Sequence, residues 1–283
     1  MQAVVAGNRF SWQGLTGSLS GSRWPFQLDY PKADDLTTEM QDYIVSTFGE
    51  FEEKLNDPSA TPRGCRYCHP SWTDYIDIDS FVDYMIVQEI SKNVDGYRLS
   101  TYFHKQADSD GGLFVMGPIW DVNLGFDNAD YVSLLTPFLV QACAFAWQAL
   151  SFAVQGGGHD PTGWVMDMGS RRGRGCSAGC YPFWWRRFLE EEAFTQRLRC
   201  RWDALRRAQL SDAALTARIA DHQAVLMEAQ ARNFETWHIL GTYVWPNPSV
   251  EDTWQEEVDR MRDWILTRAR WLDRSIPPAA AAC

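Results

Sequence analysis

Positive charge, long apolar runs and tight glycine loops are all scarce in this chain. Against 37 Asp and Glu it carries only 26 Lys and Arg, a formal net charge of −11 with pI near 4.9. No global basic field exists to hold a nucleic-acid backbone or an anionic membrane surface, so neither is expected as a partner. Arg171, Arg172 and Arg174 form a local basic cluster, which reads as a solvated turn. No apolar run reaches the roughly 18 residues that span a bilayer. The nearest, residues 138–154, is broken by Gln141 and Gln148 and reads as a buried helix. The opening MQAVVAGNRFSW has neither the basic start nor the apolar stretch of a secretory leader. Gly14, Gly17 and Gly21 lie among serines at a spacing unlike G-x-G-x-x-G, so they read as loop rather than as a phosphate cradle.

What is present describes a globular protein. At 283 residues and 45% hydrophobic content, the chain can bury a sizeable core in one or two domains. Residues 1–30 read as weakly structured, apart from a short apolar run over 24–30. A helix is expected from Asp35, capped there or at Thr37, with Met40, Ile44, Phe48, Phe51 and Leu55 on its inner face. A second is expected to be capped by Ser80, to bury Phe81, Met85, Ile86 and Ile90, and to stop at Asn93. Beyond Tyr181 three further stripes recur at helical spacing. They are Phe194, Leu198, Trp202 and Leu205; Leu215, Ile219, His222 and Leu226; and Trp254, Val258, Met261, Ile265 and Leu272. The 14 tryptophans read mainly as packing residues, and His222 as a histidine at the core edge.

Seven cysteines leave an odd one. Cys65 to His69 has the C-x-x-C-H spacing of haem attachment, but it lies in a loop bearing Pro and Gly, with no identifiable axial partner. A zinc set of Cys65, Cys68, Cys176 and Cys180 is a second reading, and disulfides or plain thiols are the simplest.

The chain is organised around residues 93–131. Residues 98–105 and 113–119 are rich in β-branched, aromatic and apolar side chains, and they flank the polar, glycine-bearing segment 106–112, the pattern of a β-hairpin. Asp95 lies just before the first strand and Asp121 just after the second, so a hairpin brings both carboxylates to one end, where they can share a metal. Spacing alone also allows humbler readings: Asp95-Gly96 as a turn, Asn93 as a helix stop, Asp121 as a cap.

The surrounding residues favour the first reading. Through DIDSFVDYMIVQEISKNVDGYRLSTYFHK, GPIWDVNLGF and NADY the chain resembles the CotH family of atypical, secreted or spore-coat protein kinases. PFWWRRF, RNFETWHILGTYVWPN and the closing WLDR extend the likeness, which covers chiefly residues 24–131 and 181–274. It implies an α+β, predominantly helical domain like the C-lobe of a protein kinase, with the hairpin carrying the catalytic and metal-binding carboxylates. It also implies ATP with Mg2+ or Mn2+ as cofactors, a serine or threonine of a protein substrate as acceptor, and an extracellular or spore-coat location.

In that reading Asp95 takes the proton of the attacking hydroxyl, and Asp121, Asn123 and Asn93 hold the metal. Ser100 stands where ordinary kinases place a metal-binding asparagine, and Lys105 can reach a phosphate. Two departures weaken the site. Asn123 replaces a carboxylate common in the family, and Ser100 is a shorter ligand than an amide. A third lies upstream, where the resemblance implies a strand-rich lobe with a phosphate-pairing lysine, yet no lysine precedes Lys32. Residues 1–30 are accordingly expected to be a remnant of that lobe or a hinge. Residues 31–283 are then the kinase-like domain, with a divergent, loosely packed insertion at about 132–180. Weak magnesium binding and poor phosphate transfer follow. A catalytically inactive, protein-binding descendant is the alternative, and a metal-dependent hydrolase using the same two aspartates is a third.

Overall fold

A computed structural model describes residues 3–6, 9–14, 25–60, 69–129, 157–168 and 181–283. The fold is α+β and helix-rich, with small antiparallel sheets. The chain divides into two units. The first comprises residues 1–81, 101–118 and 169–194, and the second residues 82–100, 119–168 and 195–283.

In the first unit the described N-terminal residues form strands where the sequence reads as weakly structured. Strands β1 (Ala3–Ala6), β2 (Arg9–Gln13) and β3 (Pro25–Gln27) form an antiparallel sheet in that order, with Trp12 opposite Phe26. Alternation explains it: Phe10 and Trp12 are buried while Ser11 between them is only partly covered, the period of a half-buried strand. These rings meet helix α1 (Thr38–Asn56), whose first free N–H groups are capped by Thr37, its hydroxyl accepting from Met40 N at 3.2 Å. Phe48, Phe51 and Leu55 are buried as the spacing implies, whereas Met40 at the start of the stripe is exposed. Phe48 packs edge-on to Trp12 at 5.5 Å between ring centroids. Trp184 of the short helix α3 (Trp184–Phe188) stacks on Phe26 at 5.3 Å. Glu52, itself buried, accepts the Trp184 indole N–H at 2.8 Å, so the charge inside this aromatic core has a partner.

Helix α2 (Ile78–Ser91) starts earlier than Ser80. Asp77 accepts from Ser80 N at 3.1 Å and fills the capping role, while the Ser80 hydroxyl, one turn inside, donates to Asp77 O and accepts from Met116 N. The hairpin exists in shortened form as β4 (Phe103–Lys105) and β5 (Phe114–Met116), with Phe103 opposite Met116 and Lys105 opposite Phe114. Residues 98–100, expected to open the first strand, are instead coiled into turns by bonds from Leu99 N and Ser100 N to Asp95 O, both 3.2 Å. Backbone groups committed to a turn are lost to a ladder.

The second unit is built on the latter part of α2 and on helices α4 (Glu192–Arg206, from residue 195), α5 (Asp212–Thr236) and α6 (Trp254–Ser275). Helix α6 opens with a capping box between Thr253 and Glu256 and buries Trp264, Ile265, Ala269 and Leu272. Trp202 of α4 donates to Asp273 at 2.9 Å. Helix α5 departs from expectation, because it buries no residue, Leu226 is 48% exposed, and His222 is exposed rather than at a core edge. Its run of alanines with Arg, Gln and Glu favours a helix by intrinsic propensity, so the repeating apolar positions record helix formation without burial. Of the tryptophans, Trp12, Trp72, Trp184, Trp185, Trp202 and Trp264 are core, while Trp120, Trp237 and Trp245 are exposed.

Loose packing fails for the described part of the expected insertion. Val165, Met166 and Met168 are buried, and Val165 N donates to Glu89 at 3.1 Å. The expected helix at 138–154, the arginine cluster at 171–174 and the cysteine sites at 65, 68, 176 and 180 lie outside the described residues. Cys200 and Cys283 are joined as a disulfide. Among the described residues no helix is long and apolar enough to cross a membrane.

Candidate active site

The second unit holds five of the six residues marked by the sequence, and hydrogen bonds join four of them, Asn93, Asp95, Ser100 and Asp121. After Ser91 the chain coils through consecutive turns that bury Asn93 completely. The Asn93 amide then works in two directions: its oxygen accepts from Asp95 N at 3.2 Å, and its nitrogen donates to Asp121 O at 3.4 Å. Ser100 repeats the arrangement. Its backbone N–H donates to Asp95 O at 3.2 Å, and its buried hydroxyl donates to Asp121 Oδ2 at 3.3 Å. Two residues thus tie the Asp95 turn to the Asp121 loop, Asn93 through its side chain and Ser100 through its backbone and hydroxyl, although the hairpin strands themselves are short.

The two carboxylates have different surroundings. Asp95 is mostly covered, and its Oδ1 takes Arg98 Nη2 at 2.7 Å, with both side chains about one-fifth exposed or less. Asp121 is exposed and left-handed, with φ of 59°, a conformation that aspartate tolerates better than most residues. Asn123 is also exposed, and its backbone carbonyl accepts from Asn128 Nδ2 at 2.8 Å. The apolar side chains next to the Ser100 and Asp121 pair, Leu99 and Trp120, are largely exposed as well.

Lys105 belongs to the first unit, where its ammonium is held by Asp108 at 2.6 Å and by Gln106 O, and lies over the Tyr43 ring. Lys92, by contrast, is fully buried. It donates to Asp160 O and Thr162 O. Burial, with the nearby Arg268 charge, pushes the Lys92 ammonium down to about 7.

Oxygen donors dominate the cluster: a carboxylate at Asp121 and amides at Asn123 and Asn93, with the Ser100 hydroxyl beside them. Among the described residues no group of three or more His, Cys, Asp or Glu could hold a metal ion. A cation here would therefore rest on few negative charges.

Three features escaped the sequence reading. Arg98 pairs with Asp95 at a spacing of three, a signal that was legible. Gly125 sits against Ser91, where an added Cβ would meet Ser91 O at 2.9 Å, and Phe126 N donates to that same carbonyl at 2.6 Å. Asp127, buried, is ion-paired to Arg260, 133 residues away, a distance at which no spacing rule gives a signal.

No curated protein matches the chain. The family model described as CotH kinase protein matches residues 18–272, a span that includes Asp95, Asp121 and nearly the whole sequence, and this protein belongs to the CotH kinase family.

Proposed function

We propose that the protein is a CotH-type kinase domain that transfers phosphate from ATP to a serine or threonine hydroxyl of a protein, with Asp95 as base and Asp121 as the principal metal ligand. The observation that carries this reading is the double bridge, in which Asn93 and Ser100 each touch Asp95 on one side and Asp121 on the other. Phosphoryl transfer asks little covalent chemistry of a protein, and positioning of a base and a metal carboxylate is most of what it must supply.

Asp121 and Asn123 would hold magnesium, with the buried Asn93 behind them supporting the loop through its amide nitrogen, which donates to Asp121 O, rather than acting as a ligand. When bound, the cation neutralises charge on the transferring phosphoryl group. Arg98 fixes the Asp95 carboxylate through Oδ1, which leaves Oδ2 to accept the proton of an incoming hydroxyl. Ser100 orients Asp121 rather than replacing it. Lys105, already held by Asp108, Gln106 and Tyr43, is left out of the phosphate contacts.

Metal binding is expected to be weak and transfer slow, because Ser100 and Asn123 supply less than an amide and a carboxylate would. The experiment is phosphate transfer from radiolabelled ATP to a protein acceptor by the purified chain, beside its Asp121→Ala and Asp95→Asn variants. Slow transfer lost in both variants supports the reading. Transfer that survives in both removes these aspartates from the chemistry.

A further inference from the structure

The loop that carries Asp121 and Asn123 has an unusual backbone. Asp121, Phe126 and Asp127 all adopt positive φ, at 59°, 56° and 72°. Left-handed residues other than glycine persist only where surrounding contacts over-determine them. Near its start the loop is tied by Asn93 and Ser100 to Asp121, as described above. Across its middle, Gly125 N donates to Val122 O at 3.0 Å and Phe126 N to Ser91 O at 2.6 Å, which seats the turn on the end of α2. At its far end Asp127 turns inward and meets the guanidinium of Arg260 on α6.

Arg260 is itself fixed. Its Nη2 donates to Glu257 at 3.0 Å one turn earlier, and Glu251 lies 3.4 Å from its Nε. Three carboxylates therefore surround one guanidinium, and the one belonging to the loop is the most deeply buried of them. Burial pushes Asp127 up to about 6, partly offset by the Arg260 charge, so the inward position of this carboxylate depends on its cation.

We propose that Arg260, acting through Asp127, is a positioning residue that holds the 121–128 loop in the shape in which Asp121 and Asn123 can receive a divalent cation. This rests on the function proposed above in so far as it concerns the cation; the clamp on the loop is a separate structural statement. Partners behind metal ligands set ligand orientation, and removing one typically weakens metal affinity about 10- to 100-fold.

The test compares the full chain with Arg260→Met, Arg260→Lys and Asp127→Asn, using two readouts. Hydrogen exchange followed by mass spectrometry reports on the 121–128 loop, and electron paramagnetic resonance of free Mn2+ reports on cation binding. Arg260→Met is expected to speed exchange across 121–128 at least about tenfold while α2 keeps its protection, and to raise the Mn2+ dissociation constant about 10- to 100-fold. Arg260→Lys should recover part of both effects, since lysine keeps the charge on Asp127 but loses the planar fork. Asp127→Asn should reproduce Arg260→Met, and the double variant should add little to either. If Arg260→Met loosens α6 as well, Asp127→Asn decides, because it leaves every α6 residue in place.

Unchanged exchange over 121–128 overturns the clamp. Faster exchange with an unaltered Mn2+ constant overturns the positioning role. A parent chain that takes up no Mn2+ sinks the metal reading and the positioning role with it, while the exchange data still decide whether Arg260 holds the loop.

Discussion

Glu89 of α2 and Arg268 of α6 form an ion pair, Oε2 to Nη2 at 2.7 Å, with side chains 2% and 0% exposed. Burial pushes the Glu89 carboxyl up and the Arg268 guanidinium down, and the partner's charge is the largest effect opposing each shift. The pair is extended by hydrogen bonds that use nearly every donor. Tyr97 and Val165 N donate to Glu89, and Arg268 also donates to Glu89 O, Pro161 O and Gly163 O. Lys92 takes the alternate carbonyls, Asp160 O and Thr162 O. Four consecutive carbonyls over residues 160–163 are thus satisfied by two buried basic side chains.

Removing one member of that pair should be severe. Arg268→Met leaves the Glu89 carboxylate buried without its cation and the Pro161 and Gly163 carbonyls without a donor. Breaking a buried pair from one side typically costs about 3–5 kcal/mol. Urea unfolding should show a loss of that size for Arg268→Met and a similar one for Glu89→Leu. The double replacement should lose less than the two single losses added together, since it leaves no orphaned charge. Additive losses would mean that the two charges act independently.

Asp127 gives the chain a pH dependence whose direction is fixed by its raised pKa of about 6, against an ordinary value of 3.8. Burial is the main cause and the Glu257 charge adds to it, while Arg260 and Lys92 oppose. Between these values the native state keeps a proton that the unfolded chain has released. The stabilisation is fully present below about pH 4 and is lost as pH rises through 6. Relative to Asp127→Asn, the parent should lose about 2 kcal/mol between pH 4 and 6.5. Urea midpoints at half-unit pH steps check this, and a parent that gains on the variant over the same window would show that the Arg260 charge outweighs burial.

Local signals in the sequence carried much of this architecture, and long-range ones did not. Thr37, the Phe48, Phe51 and Leu55 stripe and the turn around Asp95 depend on neighbours within a few residues, so spacing alone reveals them. The shortened hairpin did not show, because whether Leu99 and Ser100 pair in a ladder or bond back to Asp95 O is decided by competition between two hydrogen-bond schemes open to the same residues. Helix α5 shows the opposite failure, in which a correct period at Leu215, Ile219 and Leu226 implied a burial that only packing could supply. Within the candidate site, position and resemblance singled out Asp95 and Asp121, and the structure links the two segments through Asn93 and Ser100. Arg260 and Arg268 were not singled out, since each meets its carboxylate across more than 130 residues.

The C-terminus is expected to contribute measurably to stability. Cys283 closes a disulfide onto Cys200 of α4 across a separation of 83 residues, and Gln196 makes two hydrogen bonds to Ala281 beside it. A cross-link over a loop of that length lowers the entropy of the unfolded chain, with about 2–4 kcal/mol as the usual result. Cys283→Ser should lower the guanidinium midpoint accordingly without changing the helical signal, and peptide mapping without reductant should recover the 200–283 link from the parent. A midpoint unaltered by the substitution would show that the tail adds nothing.

The last expectation runs toward stronger binding. Asn123 is exposed, so a carboxylate placed there meets water and incurs little desolvation before any cation arrives. It would stand two residues from Asp121, in a loop already held by Ser100, Ser91 and Arg260, and it would supply the charge that the related family commonly has at that position. A second negative charge about 4 Å from a divalent cation, in surroundings close to bulk water, adds roughly 2 kcal/mol of attraction, or about thirtyfold in affinity. Asn123→Asp should therefore bind Mn2+ about thirtyfold more tightly than the parent by the same resonance titration, with the gain shrinking at high salt. The Asp121→Ala, Asn123→Asp double variant should fall well below the single one, because both charges act on one ion. An Asn123→Asp chain that binds no better than the parent would show that Asn123 does not face the cation, and would leave Asp121 without the neighbour on which the proposed metal site relies.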